Sequence, residues 1–195
     1  MVNFENLQQK PRNRISAVKF IQGQGRATTN QVVLSNQKTL YAINITVGTP
    51  IQNISVQIDT GSSDLWFPIT GSTLCNLKSS ACDKYGSYDP TSTSLKDLGQ
   101  TFSISYADGT KIKGTFVTDN VQIGTASLQS VQFAACNTGS SNTGLQGLLG
   151  VGYESNEATT NTNGSTYPNL LTSMVKQGAI NTLAYSMWLN DPGMS

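Results

Sequence analysis

Residues 56–68 read Val56-Gln57-Ile58-Asp59-Thr60-Gly61-Ser62-Ser63-Asp64-Leu65-Trp66-Phe67-Pro68. Apolar and polar side chains alternate up to Asp59, the period of a half-buried strand, and Gly61 then permits a sharp turn. The turn leaves a carboxylate at a strand end among hydroxyls and backbone N–H donors. Taken alone, Asp59 to Ser63 fits two descriptions equally well: an Asp/Ser turn closing a hairpin, or a carboxylate held for chemistry.

Upstream, Tyr41-Ala42-Ile43-Asn44-Ile45-Thr46-Val47 alternates in the same way, and Gly48-Thr49-Pro50 turns it back into 54–58, so the strand ending at Asp59 is the second arm of a hairpin. Downstream, 101–106 and 111–118 pair around Ala107-Asp108-Gly109-Thr110, where Asp-Gly is a strong signal for a tight turn, and a projecting hairpin is expected. Further strands are predicted over 120–123, 128–134, 145–149 and 183–189. One helix is predicted over 167–177, with Thr166 as N-cap, Leu170, Leu171, Met174 and Val175 on one side, and Gly178 as its stop. Residues 158–166 read as a loop. The sum is an all-β barrel or sandwich with one short helix.

The chain has 195 residues and 37% hydrophobic content, enough for one compact unit with a core. Only 12% of its residues are charged, roughly half the usual share, so the surface is polar but uncharged. It contains no histidine, which excludes Ser/His/Asp and Cys/His catalysis and histidine-bound zinc within this chain. Acid–base work, if there is any, falls to carboxylates. Lys10, Arg12, Arg14, Lys19, Arg26 and Lys38 face only Glu5 within residues 1–38, while the remainder has an acidic excess. That segment reads as a basic leader folded against an acidic body. Nucleic-acid binding is poorly supported, because the basic residues lack aromatic interleaving.

No run of apolar residues is long enough for a membrane span, and the start lacks the pattern of a signal peptide. Cys75 and Cys82 lie in a Ser/Lys/Asp-rich loop without histidine, which fits a local disulfide better than a metal site and implies an oxidising compartment. Cys136 sits in an apolar run and reads as a buried thiol. Sequons at Asn44, Asn53 and Asn163 point the same way, Asn163 being the most exposed by context.

With these neighbours, 56–68 resembles the active-site strand and loop of pepsin-like aspartic proteases. Ile104-Ser105-Tyr106-Ala107-Asp108-Gly109-Thr110 is similar to that family's flap, and Gln146-Gly147-Leu148-Leu149-Gly150-Val151-Gly152-Tyr153 to the strand beside its catalytic loop. Lys176-Gln177-Gly178-Ala179-Ile180 and Ala184-Tyr185-Ser186-Met187-Trp188-Leu189-Asn190 are most like secreted fungal members of the candidapepsin and yapsin type. The resemblance runs over about 39–191. It departs from the family at Ala107, where many members have Gly, and at Gln146, where many have Asp.

The resemblance implies a pepsin-like lobe over 39–195, preceded by a leader or propeptide remnant at 1–38. It implies an aspartic-type endopeptidase acting on polypeptides at acid pH, without metal or cofactor, and a secreted, cell-surface or vacuolar location. Asp59 would be one of two catalytic aspartates. Ser62 would hydrogen-bond its outer oxygen, with Thr60 and Gly61 supporting the loop. Tyr106 would bond Trp66, Ala107 and Asp108 would meet the peptide through their backbone, and Leu148 would line a side-chain pocket. Cys75 and Cys82 fall where the family places its first-lobe disulfide.

The chemistry needs two carboxylates sharing one proton, because like charges at short range cannot both ionise. This sequence has no second Asp-Thr/Ser-Gly. The chain therefore looks like a single lobe whose second aspartate would come from a missing second lobe or from a homodimer partner. The alternatives are a non-catalytic peptide-binding lobe and a truncated, inactive fragment.

Overall fold

The computed structural model describes residues 17–20, 30–37, 40–76, 82–140 and 146–189. Its strands are β1 (Ala17–Phe20), β2 (Asn30–Val33), β3 (Ser35–Asn36), β4 (Tyr41–Val47), β5 (Gln52–Asp59), β6 (Leu65–Pro68), β7 (Lys96–Ser105), β8 (Lys111–Ile123), β9 (Ala126–Ser140), β10 (Gly147–Gly150) and β11 (Tyr185–Trp188). The helices are short: α1 (Cys82–Tyr85), α2 (Ala158–Asn163) and α3 (Leu170–Lys176).

The alternation in the sequence becomes burial alternation. Along β8 the buried positions include Ile112, Gly114, Phe116, Val121 and Ile123, with the lysines facing water. Eight strands join in the order β3-β4-β5-β10-β6-β9-β8-β7, and an extra pairing of Ile45–Val47 with Val121–Ile123 closes β4 onto β8. Six strands thus form a closed barrel, which leaves no unpaired edge within the ring. Two of its pairings are parallel, β5 with β10 and β6 with β9. They bring the end of β5, which carries Asp59, and the start of β6 together beside β10.

The main core lies inside this barrel, where Phe67, Tyr88 and Phe133 pack edge to face at 4.9 Å and 5.2 Å between ring centroids. A second, smaller core lies under the β7–β8 hairpin and holds Trp66, Phe102, Phe116, Leu148 and Tyr167. Beside the barrel, β11, β1 and β2 make a three-stranded antiparallel sheet. Within the basic segment, β1 and β2 therefore belong to the folded body. Val18 and Phe20 are wholly buried in the main core, and Asn30 donates from Nδ2 to the Ile123 carbonyl at 2.8 Å. Residues 1–16 and 21–29, which carry most of that segment's charge, lie outside the described residues, as does the turn at 190–193.

The all-β class holds, as do the hairpin ending at Asp59 and the projecting hairpin. Two details differ. The predicted helix over 167–177 is shorter, Leu170–Lys176, and is capped by Asn169, whose Oδ1 accepts from the Thr172 N–H at 3.0 Å. Thr166 does not cap it, because the helix starts only at Leu170, one residue beyond its Asn169 cap. Within 158–166, read as a loop, α2 forms and ends on Gly164 at φ 71°, a left-handed cap that glycine adopts without strain.

Candidate active site

Asp59 ends β5 half-buried, between β4 and β10. The Gly61 N–H donates to its Oδ1 at 2.9 Å and the Ser62 hydroxyl to its Oδ2 at 2.6 Å, so each carboxylate oxygen has a donor. Ser62 is buried, while Thr60 and Gly61 are exposed at the loop tip.

The loop is braced by the chain leaving β10. Val151 N–H donates to the Asp59 carbonyl, Gly150 N–H to that of Asp64 and Gly152 N–H to that of Ser62, each at 2.9 Å. This approach requires glycine at 150, since a Cβ there would lie 2.5 Å from the Ser63 nitrogen.

Seven residues after Asp59, Trp66 donates its indole N–H to the Tyr106 hydroxyl at 2.8 Å. That bond ties the strand following the loop to the tip of the β7–β8 hairpin. Burial, and then the nearby Asp64 and Asp59 charges, push the Tyr106 phenol up against the opposing bond from Trp66, so it stays neutral. The tip itself is a tight turn in which Asp108 accepts from the Thr110 N–H at 2.8 Å and its hydroxyl at 3.0 Å. Ala107 and Asp108 are exposed there.

Leu148 is 8% exposed, pairs with Trp66 and belongs to the second core. Cys75 and Cys82 are disulfide-bonded, and Cys136 is a buried free thiol. Gln146 donates to the Ser55 carbonyl at 3.1 Å and so anchors β10 to β5. Among the described residues no His, Cys, Asp or Glu cluster could hold a metal ion, and no helix is long and apolar enough to cross a membrane.

A cavity of about 670 Å³ opens on the other side of the loop, lined by Thr60, Gly152, Tyr153, Asn169, Leu183 and Tyr185 among others. Asp59, Trp66 and Tyr106 do not line it. Two of its walls, Tyr153 and Leu183, are large apolar side chains 83% and 60% exposed.

The sequence reading missed the polar groups behind the loop. Asp64 and Glu157 are both fully buried. Asp64 accepts from the Tyr167 hydroxyl at 2.7 Å and the Ala158 N–H at 2.9 Å; burial nonetheless raises its carboxyl. Burial pushes Glu157 up to about 8 against the bond from the Tyr167 N–H, helped by the Asp64 and Glu154 charges. On the far side of the barrel core, buried Asp119 accepts from Ser94 at 2.5 Å, Tyr88 at 2.7 Å and the Asn120 N–H at 2.7 Å. Burial would raise it, but these bonds together hold it below the usual carboxylate range. Their sequence neighbours carry no signal of burial: Asp64 lies between Ser63 and Leu65, Asp119 between Thr118 and Asn120, and Glu157 between Asn156 and Ala158.

A family model for eukaryotic aspartyl protease matches residues 40–195. The chain is 48% identical over 160 residues to a probable aspartic-type endopeptidase, opsB, of Aspergillus fumigatus, covering 81% of this chain and 32% of that protein. It is 41% identical over 170 residues to secreted aspartic protease 6 of Candida albicans, covering 84% and 39%. Among solved structures it resembles an aspartic proteinase from Irpex lacteus, with TM-score 0.63, 24% identity, and 78% and 40% coverage. The chain thus spans about a third of the opsB protein it matches.

Proposed function

Because the chain belongs to the eukaryotic aspartyl protease family, we propose that it is the first catalytic half of an aspartic-type endopeptidase and that Asp59 is its catalytic carboxylate. The observation that carries this reading is the Asp59 cradle, in which each oxygen has its own donor and the loop is strapped to β10. A carboxylate so fixed, set against a second one, can share a single proton with it. One then removes a proton from water as the oxygen attacks the peptide carbonyl carbon, while the other gives its proton to the carbonyl oxygen. Collapse of the tetrahedral adduct breaks the C–N bond and returns a proton to the leaving amine.

Tyr106, held by Trp66, would close over a bound peptide, with the Ala107 and Asp108 backbone beside it; Leu148 would form the base of a side-chain pocket. Thr60 and the cavity beside it, with exposed Tyr153 and Leu183, are where the partner bearing the second aspartate would pack. That partner is a second lobe or a second copy of the chain. A leader or propeptide role for 1–38 then concerns a segment whose β1 and β2 are packed on the lobe. The Cys75–Cys82 disulfide and the secreted relatives support an extracellular or secretory location.

The test is hydrolysis of a denatured protein from about pH 3 to pH 6 at several chain concentrations, beside Asp59→Asn and with pepstatin as inhibitor. Activity that Asp59→Asn abolishes and that grows faster than linearly with concentration supports assembly of a paired site. A folded chain inactive at every concentration leaves a half site or a peptide-binding lobe. Activity retained by Asp59→Asn overturns the reading.

A further inference from the structure

Asp64 and Glu157 are joined through the same two residues. Asp64 takes the Ala158 N–H and the Tyr167 hydroxyl; Glu157 immediately precedes Ala158 and takes the Tyr167 N–H on Oε2 at 2.8 Å. Neither carboxyl is exposed, and neither has an ion pair among the described residues. The titratable groups facing Glu157 are Asp64 from the catalytic loop, Glu154 from the turn before it and Tyr167 from the segment leading to α3. Asp64 in turn faces Tyr167, Tyr106 from the hairpin and Cys136 from β9. All are acids, so nothing in the cluster offsets a second negative charge.

The two carboxyls are not equivalent. Each Asp64 oxygen accepts a direct bond, whereas Glu157 Oε1 is buried with no partner. A neutral hydroxyl costs less at such a site than a share of negative charge. The proton of the couple therefore belongs on Glu157 Oε1.

The couple stands directly behind the catalytic loop. The backbone carbonyl of Asp64 accepts the Gly150 N–H of the β10 brace, and Trp66, two residues on, holds Tyr106. We propose that protonated Glu157 is a positioning residue for the Asp59 loop, and that its ionisation beside Asp64 parts α2 and Tyr167 from Asp64 and loosens both the brace and the Trp66–Tyr106 contact. The device ties the shape of the site to acidity through a group that never meets substrate. It rests on the reading of Asp59 as catalytic, but its test does not use proteolysis.

The protonated-carboxyl infrared band of the wild-type chain reads the proton directly. It should persist through neutrality and fade near pH 8, the range in which Glu157 ionises. Trp66 fluorescence in a Trp188→Phe background should change over the same range. Glu157→Gln, which keeps an uncharged side chain of the same shape, should abolish that transition. Asp64→Asn should move it down by roughly one pH unit or more, because the like charge opposing ionisation is gone. A band already lost by pH 6 overturns the proposal without any variant. So does a Glu157→Gln chain whose fluorescence transition matches wild type, or a transition that Asp64→Asn leaves in place. Proteolysis retained by Asp59→Asn with these results intact overturns the functional reading and spares this one.

Discussion

At Gly150 a methyl group has nowhere to go: three backbone atoms of the Asp59 loop lie within 2.5 to 2.7 Å of the position it would take. Gly150→Ala must push the loop off β10, and overpacking of this kind against backbone costs about 1–3 kcal/mol or more. A urea titration should show that loss, and activity should fall further because Asp59 moves. Tyr106→Phe makes the complementary test. It keeps the ring and removes the acceptor of the Trp66 N–H, leaving a buried donor unpaired at a cost of about 1–3 kcal/mol. The predicted result is a modest loss of stability with a larger loss of turnover, read as kcat against urea midpoint. Asn163 is exposed, and its Oδ1 accepts from both the Ser165 N–H and hydroxyl. In a host that glycosylates secreted chains, Asn163→Gln should remove a glycan's mass from the purified protein.

Among elements, those that announce themselves by local pattern were legible in the sequence. The hairpin ending at Asp59 and the Asp108-Gly109 hairpin follow from alternation and turn chemistry, and the Asp59 loop from a contiguous motif; the Trp66–Tyr106 bond, between residues 40 apart, was expected only through the family resemblance. The disulfide was equally local. Its loop is short, so replacing Cys75 and Cys82 by Ser should cost about 2 kcal/mol, checked by thermal melting of the double variant beside the disulfide-bonded wild type.

What stayed hidden depends on distant partners. Helix α2 is spelled Ala-Thr-Thr-Asn-Thr-Asn, a poor helix by propensity. It forms because Asp64, 94 residues away, accepts its first N–H. The start of α3 at Leu170, capped by Asn169, was hidden too: the Tyr167 N–H that an earlier start would place in the first turn is donated to Glu157 instead. Closure of β4 on β8 and the attachment of β1 between β2 and β11 likewise depend on long-range register.

On the scale of the whole molecule, two of the buried carboxyls, Glu157 and Asp119, have opposite pH logic. Glu157 is raised from 4.5 to about 8 in the fold. The unfolded chain loses that proton first, so its contribution is full below 4.5 and is progressively lost as pH rises to about 8. Asp119 is lowered from 3.8 by its bonds from Ser94, Tyr88, Ser92 and Asn120, which outweigh burial. Its contribution is present above 3.8 and is lost as pH falls through the lowered value. The two effects bracket a stability maximum in mildly acid solution, between the window in which Asp119 protonates and the one in which Glu157 becomes a liability. Asp119→Asn cannot accept in the same way from the Ser94 and Tyr88 hydroxyls. Its urea midpoint should therefore fall well below wild type at pH 5 to 6, and the gap should narrow as pH falls through the lowered value, where wild type loses the same charge. A gap of equal size at both ends would mean that Asp119 acts through packing alone, and the acid limit of the fold would then lie in some other carboxylate.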